Sequence, residues 1–358
     1  MRLLASNLGH PAGAYGRGME KMATHQHTAH VVTIVRDNLP RSALLLAILV
    51  VLAACASLEV GGKRSGEATL SGRTIDELKA EYEGREKDHQ HEPVVALVLG
   101  GGGMRGYAHI GVLQALEEMG VQPDIVVGTS IGAIVGAAYA SGLTPAHLWK
   151  KAEETRVLAF ADIAISGPAF VKGEALAHWT DSMVGNVPIE KFPRRYAAVA
   201  TDLDRAIPIV LTLGDAGQVA RASAAIPGVF LPVRYDKGEL VDGGVTSVVP
   251  VRVARAMGAD VVIAVDIYCH SPPYPASSAL FAVVRATQVQ SCLISRPEID
   301  DADVLIAPVV SPAGVNDAVG RERARLAGYD AAKAAASRWQ AVMASKTWVL
   351  DKDAPYAH

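Results

Sequence analysis

The chain has 358 residues, 50% hydrophobic and 20% charged, with a formal net charge of −3. That apolar content excludes chain-wide disorder, and a near-neutral balance without a basic stripe excludes a nucleic-acid binder. Three cysteines, Cys55, Cys269 and Cys292, are too few for a disulfide framework, and no spacing suits a zinc site.

From Ala43 to Ala54 runs an apolar stretch, ALLLAILVVLAA, behind Arg36 and Arg41. A membrane span needs roughly 20 such residues. This one has the length of a signal-peptide h-region. The boundary Leu52-Ala53-Ala54-Cys55 resembles the lipobox of bacterial lipoproteins. That resemblance implies cleavage before Cys55, acylation of its thiol and stable anchoring. Residues 1–54 are therefore expected to be a signal peptide, over-long at its front, with Met19 or Met22 as candidate starts. No metal site is expected at His25, His27 and His30. Residues 55–92 are expected to form a lipidated tether, polar from Ala56 on. As a coil it spans on the order of 35 Å. Inside it, Thr74-Ile75-Asp76-Glu77 has capping-box form and predicts a short exposed helix.

The expected domain covers residues 93–270. VVALVLG, from Val94 to Gly100, is short, Val-rich and continuously apolar, as a strand buried on both faces should be. Four glycines, Gly100 to Gly103, follow with Met104, Arg105 and Gly106. YAHIGVLQALEEM then reads as a helix with Ile110, Leu113 and Leu116 on one face. Ile125-Val126-Val127 is a second strand. The spacing predicts parallel strands with a right-handed crossover. Bare backbone amides in such a loop attract negative charge, either a phosphate or a developing oxyanion.

The second strand runs into Gly128-Thr129-Ser130-Ile131-Gly132, and AIVGAAYASG reads as a helix. This is G-x-S-x-G between strand and helix, the context that exposes a serine hydroxyl on a tight turn. A serine needs a base. Asp242 ends a short apolar strand in ELVDGG, while Asp202 and Asp266 follow the strands YAAVAT and VVIAV. His270 comes after Asp242 and leaves open a Ser, Asp, His order.

Several motifs together are similar to the patatin-like phospholipase family, most of all its bacterial members. They are LGGGGMRGYAHIGVLQALEE, GTSIGAIVGAAYASG, RASAAIPGVFLPV with LVDGG, and MGADVVIAVDI, between about Val95 and Ile267. The resemblance implies a three-layer α/β/α fold with a mostly parallel sheet. It implies a Ser–Asp dyad, with Ser130 as nucleophile and Asp242 as base. Gly128 and Gly132 shape the elbow, and backbone amides from Gly101, Gly102, Gly103, Met104 and Arg105 would hold the oxyanion. The Arg105 side chain either binds a substrate phosphate or holds the loop as an internal ion-pair partner.

The expected activity is hydrolysis of acyl esters in phospholipids or lysophospholipids, without cofactor or metal. The expected setting is the bacterial envelope, lipid-anchored and facing the periplasm, at the outer membrane rather than the inner. The alternative is a non-catalytic lipid-binding or envelope-assembly lipoprotein on the same scaffold. After DGG the family often has an asparagine, and here Val245-Thr246-Ser247 stand. His109 is expected in the core. Cys269 and Cys292 are expected to be unpaired. Residues 271–358 are expected to be a helical extension packed on the domain, with Arg321, Arg323 and Arg325 on a solvated face.

Overall fold

The computed structural model describes residues 70–83 and 93–352. The expected signal peptide, Cys55 and the remaining parts of the expected tether lie outside the described residues.

The first strand, β1 (Val95–Leu99), is buried along its whole length. It leads through the glycine loop to helix α2 (Tyr107–Glu118) and then to β2 (Ile125–Thr129). The two strands pair in parallel, Ala96 opposite Ile125 and Leu99 opposite Gly128. Helices α3 (Ile131–Ala140), α4 (Pro145–Glu154) and α5 (Glu174–Met183) follow. Next come β3 (Arg195–Asp202), β4 (Ile207–Leu211) and α6 (Ala216–Ser223). Then come β5 (Val233–Tyr235), β6 (Gly238–Asp242), α7 (Val251–Ala256) and β7 (Val261–Val265). The chain continues with α8 (Ala279–Ile299), β8 (Val304–Ile306), α9 (Ala318–Ala334) and α10 (Ala336–Lys352).

Eight strands form one sheet in the order β5-β6-β3-β2-β1-β7-β8, with β4 also on β3. β3, β2, β1, β7 and β8 are parallel, while β4 and β6 run antiparallel to β3. The two faces of β1 feed different cores. Leu97 and Leu99 pack under one helical layer, and Ala96 and Val98 under the other. This is the expected three-layer α/β/α arrangement with a mostly parallel sheet.

Three expectations need correcting. Residues 70–83 are not free tether. Helix α1 (Ile75–Glu83) carries the predicted capping box, with Glu77 N–H on Thr74 Oγ1 at 3.1 Å and Thr74 N–H on Glu77 Oε2 at 2.8 Å. Its Leu78 is fully buried, and the Arg73 and Val210 backbones exchange hydrogen bonds. One apolar residue per turn suffices to dock a short helix. Second, the extension 271–358 is not only helical, because β8 completes the sheet beside β7. Third, Arg321 is buried and donates to the carbonyls of Ala152, Thr155 and Val315. α9 reaches backbone contact with α2, where a Cβ on Gly328 would meet Ala108 O at 2.0 Å. That close approach turns Arg321 inward.

Candidate active site

Register brings the two predicted side chains together. Thr129 pairs with Val199 of β3, so Ser130 stands level with Ala200. Asp242 pairs with that same Ala200 from the other side. Only β3 separates them, about 9.6 Å between the outer strands. Ser130 Oγ donates to Asp242 Oδ2 at 2.6 Å, and both residues are buried.

The elbow is strained. Ser130 has φ 56° and ψ −123°, a region that side chains other than glycine seldom occupy. Its neighbours must be bare. A Cβ on Gly128 would lie 2.4 Å from Gly132 O, and one on Gly132 would lie 2.0 Å from Leu99 O. The turn thus presses α3 onto the end of β1. Ser130 N–H donates to Ser223 Oγ at 2.9 Å, and Ser223 donates on to Val199 O at 2.6 Å. Ser223, fully buried at the end of α6, was missed in the sequence. Its one signal was a hydroxyl in a run of alanines.

Asp242 is held at three points. Its Oδ1 accepts from Gly244 N–H at 2.7 Å, its amide donates to Ala225 O at 2.9 Å, and its carbonyl accepts from Thr201 Oγ1 at 3.0 Å. Burial pushes the carboxyl up to about 6, against the opposing pull of the Ser130 and Gly244 hydrogen bonds. An aspartate so raised is a usable base near neutral pH.

The glycine loop lies against the serine, since a Cβ on Gly101 would sit 3.5 Å from Ser130 Cβ. The five expected donors are not equivalent. Gly101 N–H is taken by Val248 O at 2.9 Å and Arg105 N–H by Gly102 O at 3.3 Å. The Met104 amide faces the Tyr274 hydroxyl. The amides of Gly102 and Gly103 meet no acceptor among the described residues. The sequence does not distinguish these five, because the loop's own tight turn and the neighbouring strand end decide which amides are spent.

Arg105 holds the loop from within. It is fully buried; Nε donates to Val310 O at 2.9 Å and Nη2 to Pro272 O at 2.6 Å. Its guanidinium lies 4.2 Å from the centre of the Tyr274 ring. Carbonyls and rings stand where a carboxylate partner was expected. Tyr274 OH in turn donates to Gly102 O at 3.1 Å. The segment from Tyr268 to Tyr274 is fastened to α8. Gln288 accepts from Tyr274 N–H and donates to Tyr268 O. Cys269 and Cys292, expected to be unpaired, form a disulfide with Cα atoms 5.3 Å apart.

The rival bases lie elsewhere. Asp202 is bound to Arg205 and Tyr235. Asp266 accepts from the amides of Tyr268, Cys269 and His270 and from His270 Nδ1 at 2.6 Å. That pair follows β7, which is separated from β2 by β1. The His270 ring is engaged by Asp266, while Asp242 meets the serine directly. His109 is a core histidine, as expected. Its Nε2 faces the carbonyl of Gly100 at 2.8 Å and so carries the proton, and burial pushes its pKa down to about 4.

A buried serine–aspartate pair is thus set across one strand and beside bare loop amides in a patatin-like α/β fold. The model of the patatin-like phospholipase family matches residues 97–255, and this part of the chain is similar to that family. An uncharacterized NTE family protein of Mycobacterium tuberculosis is 40% identical over 177 residues, 49% of each chain. Human patatin-like phospholipase domain-containing protein 6 is 38% identical over 182 residues, 48% of this chain and 13% of that protein. Lysophospholipase NTE1 of Coccidioides immitis is 32% identical over 228 residues, 61% of this chain and 14% of that protein. The chain thus spans about half the length of the mycobacterial relative and a small part of the others. The crystal structure of VipD from Legionella pneumophila shares the fold, with a TM-score of 0.51 at 14% identity. That match covers 79% of this chain and 72% of VipD.

Proposed function

We propose that the protein hydrolyses acyl esters of phospholipids or lysophospholipids. The observation that carries this reading is the 2.6 Å contact between Ser130 Oγ and Asp242 Oδ2. Asp242 takes the hydroxyl proton as Oγ attacks the ester carbonyl. The oxyanion is received by the amides of Gly102 and Gly103, the two loop donors without an acceptor. Preorganised donors of this kind are each worth about 2.7–4 kcal/mol of barrier. The proton passes to the leaving alcohol. Asp242 then activates water to release the acyl group. The lipid substrate class is supported by the family of residues 97–255 and by the name of the fungal relative.

We place the protein at the bacterial envelope, held by a lipid on Cys55 and facing the periplasm. The lipobox-like run before Cys55 supports this, and the Cys269–Cys292 bridge suits an oxidising compartment. A non-catalytic lipid-binding role would leave the serine contact and the raised Asp242 without a use.

A fluorophosphonate probe will label the wild type and leave Ser130→Ala unlabelled. Equal labelling of both would remove Ser130 from the chemistry. The pH profile is a separate check. Only ionised Asp242 accepts a proton, so kcat/KM should rise with pH through about 6 and level off above it. A profile flat from pH 4.5 to 8 would contradict this. The same shift has the opposite sign for stability. The unfolded chain ionises near 3.9, so stability is fully present below about pH 4. It then declines by roughly 3 kcal/mol as pH rises through about 6.

A further inference from the structure

The catalytic edge carries two apolar segments that the other described residues leave uncovered. The first is the front half of α8. As the crossover from β7 to β8, the helix has 21 residues, about 32 Å. The five-residue strand before it spans about 17 Å, so the helix outruns the sheet. Its rear half packs inward through Gln288, Ser291, Ser295, Glu298 and Ile299. Its front half does not. Phe281 is exposed, Val283 is 63% exposed, and the side chains described from Ala279 to Thr287 include no buried one. The second segment runs from Leu158 to Phe170. Ile165 is 97% exposed, Phe170 69%, and Leu158 and Ile163 are exposed as well.

The second segment and the middle of α8 adjoin the dyad. Phe170 and Val171 donate to Val229 O, and Leu231 donates to Val171 O. This strip begins four residues after Ala225, whose carbonyl holds the Asp242 amide. α8 meets Val245, three residues past Asp242, across a cleft of about 400 Å³ that Thr287, Ser291 and Ile294 also line.

Their charge has one sign. From Ala279 to Arg296 there is no carboxylate, and Arg285 and Arg296 are exposed. From Arg156 to Lys172 the one carboxylate is Asp162, which is spent on the amides of Gly173 and Ala175. Arg156 and Lys172 are exposed. Within these two segments the exposed charges are all cations, and apolar side chains with such cations complement an anionic lipid surface, which offers acyl chains to the one and phosphates to the other. A second copy on the same face would set arginine against arginine.

We propose that the front half of α8 and the segment Leu158–Phe170 together seat the protein on an anionic phospholipid bilayer, with Ser130 facing it. This rests on the acyl-hydrolase reading for what lies in that bilayer. The test uses the chain as the lipobox reading leaves it after cleavage, from residue 55 on with Cys55→Ser, so that neither the apolar run 43–54 nor an acyl anchor contributes. Two double variants are compared, Ile165→Asp with Phe170→Asp, and Phe281→Asp with Val283→Asp. Co-sedimentation with vesicles of phosphatidylcholine and phosphatidylglycerol is read in a Ser130→Ala background. Turnover of a soluble p-nitrophenyl ester is read with Ser130 intact.

Each pair should lower partitioning by about tenfold or more. Soluble-ester turnover and the melting curve should stay unchanged. Partitioning equal to that of the parent overturns the proposal. So does a parent dimer, seen by light scattering, that the variants split without changing partitioning, since the face would then join two copies. If the parent partitions as expected but cleaves no soluble ester, the acyl-hydrolase reading fails while the docking face stands.

Discussion

Asp242→Asn will lower kcat/KM on a soluble acyl ester by three to four orders of magnitude, while the protein stays folded. The asparagine keeps the size of the side chain, and its oxygen still accepts from Gly244 N–H, a bond of 2.7 Å in the wild type. What it presents to Ser130 Oγ is an N–H, which cannot take a proton. General-base catalysis is typically worth 10²–10⁴ in rate. The upper end applies here, because among the described residues the serine hydroxyl has no second base. His270→Ala is the matched control. With its ring on Asp266, its loss should change the rate by less than about threefold. The variant also removes a buried carboxylate that is costly to ionise. Asp242→Asn should therefore melt no lower than wild type at pH 7.5. Steady-state kinetics and a thermal melt decide the matter. An asparagine variant that kept a tenth of the activity would mean that another group serves as base.

Gly132→Ala will act on the fold before it acts on the chemistry. The added methyl would lie 2.0 Å from Leu99 O and 2.6 Å from Gly100 O. Both atoms are backbone of β1 and its exit, fixed by parallel pairing on each side. Neither can turn aside as a flexible side chain would. Overpacking usually costs about 1–3 kcal/mol, and a clash with two carbonyls belongs at or above that upper figure. At roughly 2–4 °C per kcal/mol, the melting temperature should fall by about 6–12 °C. The elbow would also tilt, separating Ser130 from Asp242, so fluorophosphonate labelling should slow as well. A variant with unaltered melting and labelling would show that α3 does not press on β1 as described.

How far the sequence could be read depended on how local each cause was. β1, β2 and the helices after them were legible to within a residue or two, because apolar runs, glycines and the G-x-S-x-G spacing act over a few residues. Asp242 was legible by family resemblance, as its pairing with Ser130 is set by the register of three strands. Ser223 was not, since its bond to the Ser130 amide joins the end of α6 to a turn 93 residues away. The same holds for Cys269 and Cys292. Only a helix doubling back along the sheet brings them to 5.3 Å, and no spacing rule anticipates that. The docking of α1 hung on Leu78, with Ile75 and Tyr82 beside it, within a charged stretch. The split among loop amides needed the partner carbonyls of Val248 and Gly102.

The bridge from Cys269 to Cys292 ties chemistry to chemical surroundings. It closes a loop of about two dozen residues, and such a closure typically adds about 3 kcal/mol. It also shares with Gln288 the task of fastening the segment whose tyrosines cradle Arg105 and touch the carbonyl of Gly102. Where glutathione keeps thiols apart, Gln288 holds the segment to α8 without the bridge, beside the bonds from Asp266 and Arg105. A freshly made chain would then hold that segment less firmly until oxidation closed the bridge.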